Sequence, residues 1–286
     1  MLSALFALIG AFVYGASDFV GGLAARRMPA IRVTALNSVA ALAVLGVAYA
    51  IAGGRWSSAS LLWGGLAGVV GAAAIALLYA CLAIGPMSIL APIMALVSAV
   101  IPIGIGFARG ESLTVFGYLG LAIGLVAIVM VCFVPGGKRV RPSTRGVLLA
   151  VAAGVAIGLY LTFIDLSPSD SGLTPLIIVF AVGAVITWPV ALIIARRRGP
   201  AAPDLNPWWR GGVALALWSG ATDATASVLF LVALRLGDLS VVSVLNGLST
   251  AGTILLAAIF LRERISIVQW FGLAAALVAA ALLALA

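Results

Sequence analysis

Two aspartates, Asp18 and Asp223, lie in stretches whose other residues are mostly small or apolar, "VYGASDF" and "WSGATDATASVLF". Removal from water disfavours the ionised form of a carboxyl, so such a group can exchange a proton or bind a cationic group near neutral pH. In water an aspartate stays ionised at neutral pH and has no such role. The chemistry of both residues therefore depends on the elements that position them.

The composition places most of the chain in a membrane. Of its 286 residues, 64% are hydrophobic and 8% are charged, against about 25% charged residues in globular proteins. Long apolar runs of ~20 residues without alternation are typical of membrane helices and not of barrel strands. We therefore predict an all-α integral membrane protein with ten transmembrane helices. The predicted spans are 3–24, 32–53, 60–83, 87–108, 113–134, 146–166, 173–195, 211–234, 239–260 and 265–285.

The second half of the chain repeats the first. Residues 77–133 align without a gap with residues 229–285. Each half holds five predicted spans, so the second half must enter the membrane in the opposite sense, as in the inverted repeats of secondary transporters. We expect a first five-helix repeat at 1–135, a basic connecting loop at 136–145 and a second repeat at 146–286. Matched positions include Gly85 and Gly237, Ser88 and Ser240, Glu111 and Glu263, and Gly120 and Gly272.

Four short segments resemble motifs of the drug/metabolite transporter superfamily and, within it, of the ten-helix EamA-type permeases. They are "VYGASDF" (13–19), "LLYACLAIGPMS" (77–88), "FARGESLTVFGYLG" (107–120) and "FLRERISIVQWFG" (260–272). The chain departs from the family pattern at Asp18, where relatives commonly carry Asn, and at Gly110 and Arg262. The resemblance implies a central cavity lined by helices 1, 3, 4, 6, 8 and 9. It also implies transport, commonly outward, of amino acids, other small metabolites or drugs.

Polar and aromatic residues on these helices are candidates for substrate binding. On helix 9, polar residues recur at steps of three and four and so share one face. The alternative is packing, since hydroxyl groups also join membrane helices and aromatic rings anchor them at interfaces. The candidates are Tyr14, Ser17, Asp18, Tyr79, Tyr160, Trp218, Ser243, Asn246 and Thr250.

Asp223 is our candidate for coupling transport to a proton. Asp18 is its rival, but it stands where relatives carry an amide, which cannot titrate. Every basic residue lies at a joint or a span end, so no base is predicted beside either acid. A desolvated phosphate needs Arg or Lys, and we therefore expect a neutral, zwitterionic or cationic substrate.

Other function classes find little support in the sequence. The chain has no histidine, no paired metal-ligand acids and no nucleophile motif, and Cys81 and Cys132 lack metal-site spacing. We therefore predict no metal, no cofactor and no enzyme activity, with the lipid bilayer and a small molecule as partners and no nucleic acid. The alternatives are a membrane-embedded enzyme that uses Asp18 and Asp223, an uncoupled facilitative permease, and a scaffold protein.

The basic residues indicate the orientation. Most of the sixteen lie at joints that share one side of the predicted bundle, and positive charge stays in the cytoplasm. We expect both termini to face outward and the protein to lie in the cytoplasmic (inner) membrane. The residues of the basic side are Arg26, Arg27, Arg32, Lys138, Arg139, Arg141, Arg145, Arg196, Arg197, Arg198, Arg210, Arg262 and Arg264, and those of the other side are Arg55, Arg109 and Arg235.

Overall fold

A computed structural model describes residues 2–25, 27–84, 87–132, 143–197, 212–261 and 266–285. Within these ranges the chain is helical and contains no strand, which confirms the predicted all-α class. One short 3-10 helix, Ser169–Ser171, connects α6 to α7. The α-helices are α1 Leu2–Ala25, α2 Ala30–Ala52, α3 Ser58–Ile84, α4 Met87–Ala108, α5 Val115–Cys132, α6 Thr144–Asp165, α7 Thr174–Arg197, α8 Val213–Leu236, α9 Leu239–Gly247, α10 Ser249–Leu261 and α11 Ile267–Ala284.

Eight segments of the described chain are long and apolar enough to cross a membrane. They belong to α1, α2, α3, α6, α7, α8, α11 and the combined stretch Leu239–Phe260 of α9 and α10. Helices α4 and α5 contribute shorter apolar segments, Ile93–Ala108 and Val115–Val131, over their described residues. The protein is therefore a multi-pass membrane protein.

The ninth predicted span is broken into two helices at Leu248. The backbone N–H of Leu248 donates to the carbonyls of Leu245 and Asn246, which closes the last turn of α9 more tightly than an α-helix does. Gly247 and Ser249 flank the break, and pairs of Gly and Ser are common sites of helix kinks. The break leaves Asn246 at the carboxyl end of α9.

The helices pack in pairs that are unchanged when the two halves of the chain are exchanged. Helix α1 packs on α8 as α6 packs on α3, and α2 packs on α8 as α7 packs on α3. Helix α1 also packs on α10, the second part of the ninth span, as α6 packs on α4. The pairs α2 with α7, α4 with α9, and α5 with α11 correspond to themselves.

Glycines allow equivalent close contacts in both halves. A Cβ at Gly15 of α1 would lie 2.9 Å from the backbone nitrogen of Thr253 in α10. A Cβ at Gly154 of α6 would lie 2.7 Å from the carbonyl oxygen of Met94 in α4. No real Cβ tolerates these distances, so both glycines let two helix backbones approach directly, as is common in membrane bundles.

The amino-terminal end of the chain and four joints meet at one end of the bundle, which we call the amino-terminal face. Ser3 Oγ donates to the carbonyl of Ala233 near the end of α8, at 2.9 Å. Arg55 in the α2–α3 joint pairs with Asp170 in the α6–α7 joint, at 3.1 Å. The α4–α5 and α8–α9 joints also lie here, joined by Glu111. The opposite end, where Gly212 before α8 lies beside Ala24 of α1 and Arg27 of the α1–α2 joint, is called the basic face.

Candidate functional site

Helix α1 contacts α8 on one side and α10 on another, and its remaining two sides face the interior and the outside of the bundle. Gly10 and Ser17 face α8, and Gly15 faces α10. Asp18 lies between these two sides and opposite the exposed outer stripe of the helix, so it faces the interior of the bundle. The outer stripe consists of Leu2, Leu5, Ile9 and Phe12.

The inward stripe of α1 changes from buried to exposed along the helix. Ala4, Ala7 and Ala11 are at most 4% exposed, whereas Asp18 and Gly22 are exposed. No described atom of another element lies within 4 Å of the position that a Cβ of Gly22 would take. The surface of Asp18 is accessible although the surrounding helices enclose the residue, so the accessible space lies within the bundle. This stripe therefore lines a cleft that opens toward the basic face.

A cluster of hydroxyl groups lies one turn deeper, where α1, α6 and α8 meet. The Tyr14 hydroxyl and Ser227 Oγ share a hydrogen bond of 2.8 Å, and the Tyr14 ring packs edge-on against Phe230 at a centroid distance of 6.4 Å. Tyr160 of α6 interacts with Tyr14, and Asp223 of α8 interacts electrostatically with both tyrosines. The structure thus brings Tyr14, Tyr160 and Asp223 together.

The Asp223 carboxylate has an amide partner, Asn37 of α2, that the sequence did not single out. With its nitrogen toward Asp223, the Asn37 amide donates to Oδ2 at 3.0 Å and accepts from Ser219 Oγ and the backbone N–H of Gly220 at 3.3 Å each. This orientation is the one that satisfies both ends of the amide, because the opposite one faces oxygen to oxygen. Asp18 lies close enough to interact electrostatically with Asp223.

No basic residue in the described ranges contributes to the electrostatic surroundings of either aspartate. The described arginines lie at helix ends or in joints. The same part of the chain contains no group of three or more metal-ligand side chains. The cluster therefore offers carboxyl, amide and hydroxyl groups together with two aromatic rings.

Ser17 is occupied by helix packing. Its hydroxyl donates to the Ser219 carbonyl at 2.9 Å, and the Ser219 hydroxyl donates back to the Ser17 carbonyl at 3.1 Å. Both side chains are 3% exposed. Such reciprocal bonds hold α1 against α8, which favours the packing alternative for Ser17.

Trp218 lies on the opposite side of α8 from Asp223. It is 65% exposed and shares its face with the exposed residues Ala214, Thr225 and Leu236. The structure therefore does not bring Trp218 to the cluster. The side chains of two further candidates, Tyr79 and Thr250, lie outside the described residues.

Helix α9 carries the remaining candidates. Ser243 is 1% exposed and donates to the carbonyl of Leu239 at 2.6 Å, within its own helix. The Oδ1 atom of Asn246 is buried and accepts no hydrogen bond from the described residues. A buried acceptor without a donor is costly, so Asn246 is the stronger candidate on this helix for contact with a substrate.

A comparison with protein families decides what kind of protein carries this site. Residues 1–133 and 144–285 each match the model of the EamA-like transporter family. The chain belongs to that family. This membership confirms the resemblance found in the sequence, and the two matches cover one repeat each.

This EamA-like transporter also resembles a protein of known crystal structure, with a TM-score of 0.75 at 19% sequence identity. The alignment covers 99% of this chain and 98% of the other. At this identity the likeness concerns the fold alone. No curated protein sequence matches the chain. The family consists of membrane transporters and not of enzymes, so the cleft is a candidate transport site.

Proposed function

We propose that this EamA-like transporter is a secondary transporter that exports a small neutral, zwitterionic or cationic metabolite, such as an amino acid, by alternating access. One observation carries the proposal: a cleft that contains Asp18 and Asp223 opens toward the basic face, while contacts between the two halves close the amino-terminal face. One open and one closed end is the arrangement of a transporter in one of its two states.

The proposal includes ten transmembrane helices in an inverted five-plus-five repeat. The α4–α5 joint meets the α6–α7 and α8–α9 joints on the amino-terminal face, through Arg109 with Asp165 and Glu111 with Leu239. If α4 and α5 each cross the membrane, every second joint falls on this face. The exchange symmetry of the helix pairs supports the same topology.

The chemistry of the cleft favours a substrate with an amino group. Two carboxyls stand without a basic partner in the described chain, so a phosphate or another polyanion would meet repulsion. An ammonium group would instead pair with a carboxylate, and the rings of Tyr14 and Tyr160 offer faces on which a cation or an apolar group can pack.

Asp223 is the proposed coupling residue. Asn37 is bonded to Oδ2 alone, which leaves Oδ1 available to a proton or a substrate ammonium group. If the two ligands compete for this carboxyl, proton entry drives substrate exit without any further coupling element. Asp18 lies nearer the open end of the cleft, where it is exposed.

The direction and location follow from the charges of the joints. By sequence, the single lysine and most of the arginines belong to joints predicted on the side of the basic face, so this face is proposed to be cytoplasmic. A cleft open to that side loads substrate from the cytoplasm, as an exporter does. We accordingly propose the cytoplasmic (inner) membrane as its location.

Reconstitution in liposomes tests this function. Liposomes that contain the purified protein are preloaded with unlabelled amino acids or cationic amines. Uptake of the labelled compound in exchange for the unlabelled one is then followed in the absence of a gradient. We expect counterflow of at least one amine-bearing solute, recovered chemically unchanged, and no counterflow in protein-free liposomes. A chemically altered solute would favour the enzyme alternative, and accumulation that ignores an imposed pH gradient would favour an uncoupled permease.

A further inference from the structure

Glu111, in the joint between α4 and α5, binds the start of a helix that belongs to the other half of the chain. Its Oε1 accepts from the backbone N–H of Leu239 at 2.9 Å. Its Oε2 accepts from the N–H of Ser240 at 3.2 Å and from the Ser240 hydroxyl at 2.5 Å. The first N–H groups of a helix have no partner within it, and they carry the positive end of the helix dipole. One carboxylate therefore caps α9 from the opposite repeat.

The local sequence of α9 leaves this place free for Glu111. Asp238 stands at the N-cap position of α9, where an aspartate usually bonds the helix N–H groups, but its side chain makes no such bond. Gly106 makes room on the other side, because a Cβ there would lie 2.6 Å from Ser240 Oγ. Both features fit a cap supplied across the boundary between the halves.

Two arginines extend the contact to the joint between α6 and α7. Arg109, two residues before Glu111, forms an ion pair with Asp165. Arg235, at the end of α8, donates to the Ser167 carbonyl at 2.6 Å and to the Pro168 carbonyl at 2.9 Å. Glu111, Arg109 and Arg235 thus tie together three joints of the amino-terminal face, at the end away from the open cleft.

We infer that Glu111 is the latch that closes the amino-terminal face, and that this face opens when Glu111 releases the start of α9. The movement of the latch rests on the alternating access proposed above, whereas the closure rests on the contacts alone. All three groups that Glu111 binds are N–H or O–H donors at the end of a helix, which water solvates when the contact breaks. A latch of this kind opens without leaving a buried charge unpaired, and it releases the helix that carries Ser243 and Asn246.

Thiol labelling measures whether the latch keeps this face closed. Cys81 and Cys132 are first replaced by serine, and Ser243→Cys places a reporter one turn inside the latch, at a position that is 1% exposed. A membrane-impermeant cationic methanethiosulfonate reagent is applied to either side of the membrane. Ser58→Cys, an exposed position on the same face, identifies the side.

We expect Glu111→Gln to speed labelling of the reporter from the amino-terminal face by at least about tenfold, the factor that loss of one charge-assisted hydrogen bond corresponds to. Ser240→Ala, which removes only the hydroxyl bond, should give a smaller increase and guards against a Gln variant that does not fold. Asp238→Asn is the matched control, because it makes the same change beside α9 at a side chain that bonds no helix N–H, and it should not speed labelling.

Equal labelling of the parent and both latch variants would overturn the inference, as would an increase with Asp238→Asn as large as that with Glu111→Gln. The measurement needs no substrate. It therefore decides the role of Glu111 independently of whether any solute shows counterflow.

Discussion

The two ends of this helix bundle use charged residues in opposite ways. On the amino-terminal face, Glu111, Arg109 and Arg235 all bind partners across helix boundaries. In the cleft, Asp18 and Asp223 have no basic partner within the described chain. The charged groups of the amino-terminal face hold helices together through their hydrogen bonds and ion pair, whereas the two aspartates without a basic partner remain available to a ligand. The same residue type thus closes the bundle at one end and equips its interior at the other.

The free-energy cost of the charged groups also differs between the amino-terminal face and the cleft. A hydrogen bond to a charged group contributes about 1.5–3 kcal/mol, but on the amino-terminal face water replaces the bonds of Glu111 when they break. A charged aspartate at the centre of a membrane helix costs about 2.5–3.5 kcal/mol on insertion scales. No packing contact in the described structure requires a carboxyl at position 223, since an amide would bind Asn37 equally well. A carboxyl at this position therefore fits the coupling role proposed above.

Asp223→Asn should have the largest effect of any single change in the cleft. The amide cannot bind a proton, so accumulation driven by a pH gradient should fall to the level of protein-free liposomes. Counterflow at a saturating solute concentration should persist, because it needs no proton and the Asp18 carboxyl remains in the cleft to bind the ammonium group. Gradient-driven and gradient-free transport of an amine-bearing solute, measured in the same preparation, test both halves of this expectation.

Asp18→Asn is the matched control for that experiment. It makes the same chemical change in the same cleft but at the residue nearer the opening, and it should reduce gradient-driven transport less. Full gradient-driven accumulation by Asp223→Asn between pH 6 and 8 would contradict the coupling role. The carboxyl would then serve only as a hydrogen-bond acceptor for Asn37.

Labelling of a cysteine at position 18 should locate the opening of the cleft. In a background without Cys81 and Cys132, Asp18→Cys should react with a membrane-impermeant thiol reagent from the basic face and not from the amino-terminal face. The reason is that this stripe of α1 is buried at Ala4, Ala7 and Ala11 and becomes exposed only at its far end. Equal reaction from both sides would remove the distinction between an open and a closed end.

The apolar runs in the sequence predicted the helices well, because ~20 apolar residues can do little else in a bilayer. They did not predict the break at Leu248, since Gly and Ser are also common inside unbroken membrane helices. The positions of the two acids were likewise readable as single charges in apolar surroundings. The sequence did not show which helix faces pack against which other helices, because hydropathy alone does not distinguish contact with lipid from contact with protein.

Two residues illustrate that limit. Trp218 was a cavity candidate because α8 was assigned to the cavity. It lies five positions before Asp223, and at 3.6 residues per turn this spacing places the two on different faces. Asn37 was missed because helix 2 is outside the cavity that the family resemblance implies. A lone amide in "ALNSVAALAV" (35–44) was the available signal, and a polar side chain inside a membrane span needs a partner.

Two glycines of α1 allow a packed position and an open position to be compared within one helix. A Cβ added at Gly15 would lie 2.9 Å from Thr253 N and 3.0 Å from Gly252 Cα, so Gly15→Ala should push α10 away and destabilise the protein by about 1–3 kcal/mol. At Gly22 no described atom of another element lies within 4 Å, and Gly22→Ala should cause no loss. Thermal unfolding in detergent measures both, and equal losses would show that the cleft beside Gly22 is closed.

The smallest expected effect concerns Asp238, where burial and the nearby Glu111 carboxylate raise the pKa. A raised pKa in the folded state means that the ionised form is disfavoured there, so Asp238 destabilises the protein at pH values above its folded pKa. This penalty disappears as the pH falls below the unfolded value of ~3.9, where the group is protonated in both states. Asp238→Asn should therefore raise Tm slightly at pH 7 and have less effect near pH 4. The gain should be smaller in a Glu111→Gln background, because the repulsion from that carboxylate is then absent while the burial of Asp238 remains. A loss of stability at pH 7 would instead show that the Asp238 carboxylate supports the start of α9, and the latch would then consist of two acids.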